Sequence, residues 1–160
     1  DTLRAGSAHD VIFGGRGNDT IIFEHGGGVA YGQAGNDTIT AYGDNQITAY
    51  GGRGRDTITG GNEDDKLYGG RGRDTIRGGS GDDFISGGRG NDHLWDGDGE
   101  DTVLGGGGVD RFYMEYGYRD DGDLDRVSLG GWAQLKNESH FARDYGFSMN
   151  GYLNEGKFRR

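Results

Sequence analysis

Residues 51–59 read GGRGRDTIT, and the same nine-residue phrase returns as GGRGRDTIR at 69–77 and GGRGNDHLW at 87–95. Stretches of equal length keep an aspartate at the sixth place and an apolar residue at the eighth; they are 60–68, 78–86, 96–104 and 105–113. A fixed short period of this kind predicts a solenoid, in which each repeat packs only on its neighbours.

Each place in the repeat has a physical role. Glycines at places one, two and four allow positive φ and a close approach of neighbouring backbones. Places seven to nine, Thr-Ile-Thr in 57–59, alternate β-forming residues, so that only the middle side chain points inward. Each repeat is therefore half a coil, a turn followed by a short strand. Stacked turns bring carbonyl and carboxylate oxygens together, and an all-oxygen cage suits calcium.

The repeat resembles the glycine-rich calcium-binding nonapeptide of RTX proteins. The resemblance covers roughly residues 1–113 and implies an all-β fold, a right-handed parallel β-roll solenoid. It also implies export of an unfolded chain by type I secretion machinery, followed by folding on calcium outside the cell. We interpret residues 114–160 as a C-terminal capping flank, in which 116–118 and 123–129 form closing strands and a short helix begins at Trp132.

Alternate repeats are expected on opposite edges of the roll, so the sixth-place aspartates fall into two rows of calcium ligands. The first row is Asp1, Asp19, Asp37, Asp56, Asp74, Asp92 and Asp110. The second row is Asp10, Asp65, Asp83 and Asp101, and it is interrupted by the irregular repeats 23–31 and 41–50. Turn glycines complete the predicted ligand set: Gly15, Gly17, Gly52, Gly54, Gly70, Gly72, Gly79, Gly81, Gly88 and Gly90. We expect about six ions on the first edge and about two on the second, about eight in total.

The composition is consistent with a chain that folds only on a metal. Thirty-seven glycines in 160 residues, a net charge of −10 and a mean hydropathy of −0.84 are typical of disorder. One small inward side chain per repeat does not offset the entropy of ordering so much glycine, and stacked carboxylates repel. Calcium, which binds the folded state, is therefore expected to be required for folding.

Several functional classes are disfavoured. The negative charge argues against nucleic acid or an anionic membrane as partner, and no apolar run approaches the ~20 residues of a membrane span. The chain has no cysteine and therefore no disulfide. The four histidines lack zinc spacing, and neither HExxH nor GxSxG occurs, so we predict no enzyme.

The resulting prediction is a secreted, extracellular calcium-binding module that supports the secretion and folding of a larger bacterial protein, such as a toxin. One alternative is an adhesin-like module that binds a host receptor, a glycan or ice through an outward row of side chains. Two such rows are predicted: threonines at 2, 20, 38, 57 and 75, and aromatic residues at 13, 31, 50 and 68. A second alternative is the accessory domain of a secreted protease or lipase.

Overall fold

The computed structural model describes residues 1–113 and, beyond them, three strands at 126–128, 132–136 and 153–154. The described part contains β-strands and turns but no helix, and hence none long and apolar enough to cross a bilayer. The strands are β1 Thr2–Ala5, β2 Asp10–Arg16, β3 Thr20–Phe23, β4 Gly28–Ala34, β5 Thr38–Ala41, β6 Ile47–Arg53, β7 Thr57–Thr59, β8 Lys66–Arg71, β9 Thr75–Ser80, β10 Phe84–Arg89, β11 His93–Asp98, β12 Thr102–Gly107, β13 Val109–Tyr113, β14 Arg126–Ser128, β15 Trp132–Lys136 and β16 Leu153–Asn154.

From β1 to β15, successive strands alternate between two sheets. The first sheet has the order β1-β3-β5-β7-β9-β11-β13-β15-β16, and the second has the order β2-β4-β6-β8-β10-β12-β14. Apart from the antiparallel pair β15–β16, neighbouring described strands are parallel. Two repeats therefore make one coil, and the predicted parallel β-roll is confirmed. We call the turns that lead into the first sheet the first edge, and those that lead into the second sheet the second edge.

The register places equivalent residues of successive coils side by side. Thr57 pairs with Thr75, 18 residues later, whereas Tyr31 pairs with Tyr50, 19 residues later. The extra residue lies in the turn at 42–46, before Thr48, because Phe23 still pairs with Ala41 at a spacing of 18. The predicted alternation of edges is thus confirmed, including the position of the insertion.

The core is a single column of side chains between the sheets. The eighth-place residues are buried from Ile21 onwards, and Leu3 and Ile12 pack against this column. The column also contains residues that the eighth-place pattern did not predict, namely Ala5, Phe23, Ala41 and Ile47. Phe23 and Ala41 stand at place one of the two irregular repeats. Apolar packing fills the second edge where the aspartates are missing.

Two strands beyond Tyr113 extend both sheets. Arg126–Ser128 pairs with β12, which confirms a strand within the predicted closing segment 123–129. The predicted helix at Trp132 is wrong: Trp132–Lys136 is β15 and pairs with β13. A strand satisfies the open backbone edge of β13, which a helix at this place could not do. The predicted strand at 116–118 and the remainder of the flank lie outside the described residues.

Candidate metal centre

Buried aspartates run along the first edge, one per coil. From Asp19 to Asp110 these side chains are at most 3% exposed, whereas Asp1 is exposed. Each Oδ1 accepts a hydrogen bond from the backbone of the preceding coil: Asp56 N–H donates to Asp74 at 2.9 Å, and Asp74 N–H donates to Asp92 at 2.9 Å. One carboxylate oxygen per coil therefore fastens that coil to the one before it.

The second oxygen of these buried carboxylates, and that of Asp83 on the second edge, has no hydrogen-bond partner in the protein. Among the described residues, the Oδ2 atoms that are buried without a hydrogen bond include those of Asp19, Asp37, Asp56, Asp74, Asp83, Asp92 and Asp110. A buried charged oxygen without a partner is costly, so a regular series of them indicates a missing ligand.

On the first edge from Asp19 to Asp92, a carbonyl oxygen of the next coil borders the same small space as the unpartnered Oδ2 atom. A Cβ on Gly51 would lie 2.5 Å from Asp56 Oδ2 and 2.7 Å from the carbonyl oxygen of Gly69. A Cβ on Gly69 would lie 2.6 Å from Asp74 Oδ2 and 2.6 Å from the carbonyl oxygen of Gly87. The place-one glycine thus leaves a space bounded by oxygens of two successive coils, which any side chain would fill.

The second edge repeats this geometry only in its C-terminal half. Asp65 N–H donates to Asp83 Oδ1 at 2.8 Å, and Asp83 N–H donates to Asp101 Oδ1 at 2.7 Å. Asp65 differs from Asp83 in that its Oδ2 accepts a hydrogen bond from Gly61 N–H at 2.7 Å. On this edge, aspartates of successive coils therefore follow one another twice, from Asp65 to Asp83 and from Asp83 to Asp101.

The N-terminal half of the second edge lacks buried carboxylates. Asp10 is half-buried, and its Oδ2 accepts a hydrogen bond from Gly6 N–H at 2.7 Å. Gly28 pairs with Asp10, and Ile47 pairs with Gly28. After Asp10, this row therefore has two places without a carboxylate before it reaches Asp65.

The predicted turn glycines occupy equivalent places in their coils. Gly70 has φ 109° and Gly72 has φ 139°, values that L side chains rarely adopt. A Cβ on Gly72 would overlap the carbonyl oxygen of Gly54, so this carbonyl points along the roll toward the next coil. The same arrangement brings Gly88 and Gly90 against the preceding turn.

The sequence prediction omitted two features of these edges. The first is the place-one glycines, whose missing side chains leave the space that aspartate Oδ2 atoms and carbonyl oxygens border. The second is Asp96, which stands at place one, is fully buried and accepts a hydrogen bond from Gly97 N–H at 2.8 Å. Its signal was present, because 96–97 reads Asp-Gly where neighbouring repeats begin Gly-Gly.

Asx side chains at place five form a further row outside the buried aspartates. Asn36 N–H donates to Asn18 Oδ1 at 2.8 Å, and Arg55 N–H donates to Asn36 Oδ1 at 2.7 Å. On the second edge, Asp82 N–H donates to Asp64 Oδ1 at 2.8 Å. These side chains satisfy turn N–H groups and so help to hold the coils in register.

Burial raises the pKa values of seven of the buried aspartates. The pKa is about 7 for Asp74 and about 8 for Asp83, and it is about 6 for Asp56, Asp65 and Asp92. Desolvation of the charged form is the main cause; hydrogen bonds from the backbone partly oppose it, and adjacent carboxylates in the rows of Asp74 and Asp83 add repulsion. The rows therefore favour either protons or a bound cation.

These donors suit a hard cation. No group of three or more His, Asp or Glu side chains converges on one point within the described residues. The oxygens come instead from one or two carboxylates and from backbone carbonyls of successive coils, a donor set that calcium accepts. The residues present therefore fit calcium.

Comparison with known families gives one result. A family model described as the RTX calcium-binding nonapeptide repeat matches four times, at residues 1–24, 25–47, 48–76 and 77–112. These matches run without a gap over more than half of the chain. Neither the curated proteins nor the solved structures contain a match.

Proposed function

The chain belongs to the family of RTX calcium-binding nonapeptide repeats, a module of secreted proteins, and from this premise we propose that it folds outside the cell when it binds calcium. One observation carries the proposal. The buried Oδ2 atoms of successive first-edge aspartates have no hydrogen-bond partner and stand beside carbonyl oxygens of the next coil. Without a cation, this row costs free energy at every coil.

We propose that the ions lie between successive coils at both edges. The donors are the sixth-place aspartates together with the carbonyl oxygens of the turn glycines. Calcium takes six to eight oxygens, and each coil supplies only part of that set, so each ion is expected between two successive coils that both carry the aspartate. This gives about six ions on the first edge and about two on the second. Neutralisation of the carboxylates removes the repulsion that opposes stacking.

The proposed biological role is support for the secretion and folding of a larger bacterial protein, such as a toxin. A chain that remains unfolded at low calcium suits export by type I machinery, and millimolar calcium outside the cell then shifts the equilibrium toward the folded state. The β-roll is a structural fold, and we propose that it has no catalytic activity of its own.

The outward rows give less support to the binding-module alternative. The rings of Phe13, Tyr31, Tyr50 and Tyr68 stack at 4.8–5.0 Å with interplanar angles of 4–8°. Since ring faces cover one another, mainly edges remain for a partner, which suits mutual stabilisation better than sugar stacking. The threonine row pairs in register as predicted, but Arg4 and Arg77 interrupt the outward row beside it.

Circular dichroism tests the proposed function directly. We expect a largely unstructured spectrum in chelator and a β spectrum at millimolar calcium. Magnesium serves as the matched control and should substitute poorly, because it prefers octahedral geometry and retains its waters. A fully folded chain in chelator at neutral pH would refute the calcium switch.

A further inference from the structure

The two edges of the roll carry opposite surface charge. Places two to five of the first-edge turns contain no acidic residue and hold six arginines: Arg16, Arg53, Arg55, Arg71, Arg73 and Arg89. The corresponding turns of the second edge hold the acidic residues Glu24, Asp44, Glu63, Asp64, Asp82, Asp98 and Glu100. A molecule with a net charge of −10 thus presents one strongly basic edge.

Three of these arginines form a continuous row. Arg53 pairs with Arg71, and Arg71 pairs with Arg89, so their side chains leave adjacent strands about 4.8 Å apart. All three are exposed, and none forms an ion pair within residues 1–113. Like charges at this spacing repel one another, and an anion between neighbouring guanidinium groups would relieve that repulsion.

The row lines an open groove that runs from coil to coil. Its volume is about 720 Å³, and its walls are formed by Gln33, Ala34, Gly52, Arg53, Gly70, Arg71, Gly88 and Arg89. The glycines have no side chains to fill it. The groove is wide open to solvent, and its length follows the axis of the roll.

One end of the groove contains a strained residue. Gln33 has φ 77° and is the only non-glycine residue with positive φ in the described part of the chain. It stands at place two, where Gly52, Gly70 and Gly88 follow in the next coils. A glutamine in this conformation costs about 1 kcal/mol relative to glycine, and such strain clusters at functional sites. Its amide supplies both hydrogen-bond donors and an acceptor at the groove.

We propose that this arginine groove binds a linear anionic polysaccharide, with sulfate or carboxylate groups against Arg53, Arg71 and Arg89 and a sugar hydroxyl against Gln33. Guanidinium groups match both kinds of oxyanion through paired N–H donors. An extended chain with regularly spaced charges fits a row that has one guanidinium group per coil.

The structure favours this occupant over two others. A flat anionic membrane would contact the outer ends of the arginine side chains and leave the groove between the coils unfilled. A second copy could offer its acidic edge, but that contact would be confined to one row of turns, whereas a stable interface needs ~800 Å² per partner. A polymer strand within the groove needs neither a flat surface nor a large area.

Binding should require the folded roll, because only stacked coils align the three arginines. The probe is a fluorescently labelled heparin oligosaccharide. Its fluorescence anisotropy is measured as the protein is added in buffer that contains calcium. The triple variant Arg53→Gln/Arg71→Gln/Arg89→Gln should retain the calcium-induced β spectrum and lose affinity about tenfold, as three exposed charge contacts of modest strength imply. The control Arg55→Gln/Arg73→Gln/Lys66→Gln removes the same charge outside the groove lining and should lose much less.

Gln33→Gly separates binding from folding. Relief of positive φ should lower the calcium concentration needed for folding, whereas loss of the amide should weaken heparin binding. A structural role alone would not move these two quantities in opposite directions. The circular dichroism titration of every variant also separates failure of this proposal from failure of the calcium switch.

Four results would overturn the proposal. Equal losses in the two triple variants would show general charge attraction without a groove. Unchanged binding in chelator would show that stacked coils are not needed. Anionic phosphatidylglycerol vesicles that bind through the same arginines with higher affinity would identify a membrane instead. A salt-sensitive dimer that the groove variant abolishes would identify a second copy of the chain.

Discussion

At the scale of single residues, the buried aspartates of the first edge use their two carboxylate oxygens differently. Asp74 Oδ1 accepts a hydrogen bond from Asp56 N–H, while its Oδ2 has no partner and borders the space beside Gly69. One oxygen sets the stacking of coils, and the other is available to an ion. Removal of such a side chain therefore affects both stacking and metal binding.

Asp74→Ala should cost at least two calcium sites and shift the calcium midpoint strongly, because Asp74 stands between Asp56 and Asp92 in the unbroken row. Asp10→Ala is the matched control and should have little effect, since Gly28 and Ile47 follow it. Asp74→Asn retains an acceptor for Asp56 N–H and so isolates the loss of charge. Isothermal titration measures the number of sites. Equal losses for Asp74→Ala and Asp10→Ala would contradict the assigned ligand rows.

The raised pKa values predict opposite effects of acid on the calcium-free and the calcium-bound chain. Unfolded aspartate has a pKa near 3.9, whereas folded Asp74 has about 7 and Asp83 about 8. Between pH ~4 and ~8 the folded state binds more protons, so its stability without calcium falls as pH rises. Ions require deprotonated carboxylates, so calcium affinity instead falls as pH falls.

Circular dichroism across this pH range tests both effects. Without calcium, we expect more β-structure near pH 4.5 than near pH 7.5, because protons neutralise the rows as calcium would. With calcium, the folding midpoint should move to higher concentration as pH falls below about 7. A calcium-free spectrum that shows no gain in acid would mean that carboxylate repulsion and desolvation do not limit folding.

At the scale of elements, the irregular repeats have buried apolar side chains at the edge where other repeats have a sixth-place aspartate. β3 ends at the buried Phe23, and β6 begins at the buried Ile47, beside turns that carry no sixth-place aspartate. On this edge, place one is apolar in the first three repeats, at Ala5, Phe23 and Ala41. In the next three repeats it is Gly60, Gly78 and Asp96. The N-terminal half of the second edge is thus held by side-chain burial.

Phe23→Ala should destabilise the calcium-loaded protein by about 3 kcal/mol, because it leaves a cavity in a column that has no other side chain to fill it. Phe13→Ala provides the control: Phe13 is 57% exposed and stacks on Tyr31, so about 1 kcal/mol is expected. Urea unfolding at saturating calcium measures both values. Similar losses would contradict the role of Phe23 as the packed core of that repeat.

At the scale of the whole molecule, a roll has two open ends. At each end, the last coil exposes unpaired backbone N–H and C=O groups and apolar core side chains. β14 and β15 pair with β12 and β13, so each sheet gains a further strand at the C-terminal end of the roll. In a solenoid, terminal covering stabilises the first coil from which folding can propagate.

Truncation after Tyr113 should raise the calcium midpoint severalfold or abolish cooperative folding, because it removes both covering strands. Truncation after Lys136 retains β14 and β15 and is the matched control. Calcium titrations followed by circular dichroism compare the two. An unchanged midpoint after Tyr113 would exclude the proposed capping role, and equal damage from both truncations would place that role in residues 137–160.

The sequence alone determined the parallel roll, the alternation of edges, the position of the insertion before Thr48 and the absence of aspartate at the Gly28 place of the second edge. These follow from the nine-residue period, because a period is a property of neighbouring residues and is visible without coordinates. Tertiary structure decided what depends on contacts between coils, 18 residues apart. Only the stacked coils show that Asp74 Oδ2 has no hydrogen-bond partner and that Phe23 enters the core. They also show that Trp132 begins a strand on an open sheet edge. The groove that Arg53, Arg71 and Arg89 line exists only where three coils are stacked. In each case the deciding neighbour belongs to another coil, so no local pattern could reveal it.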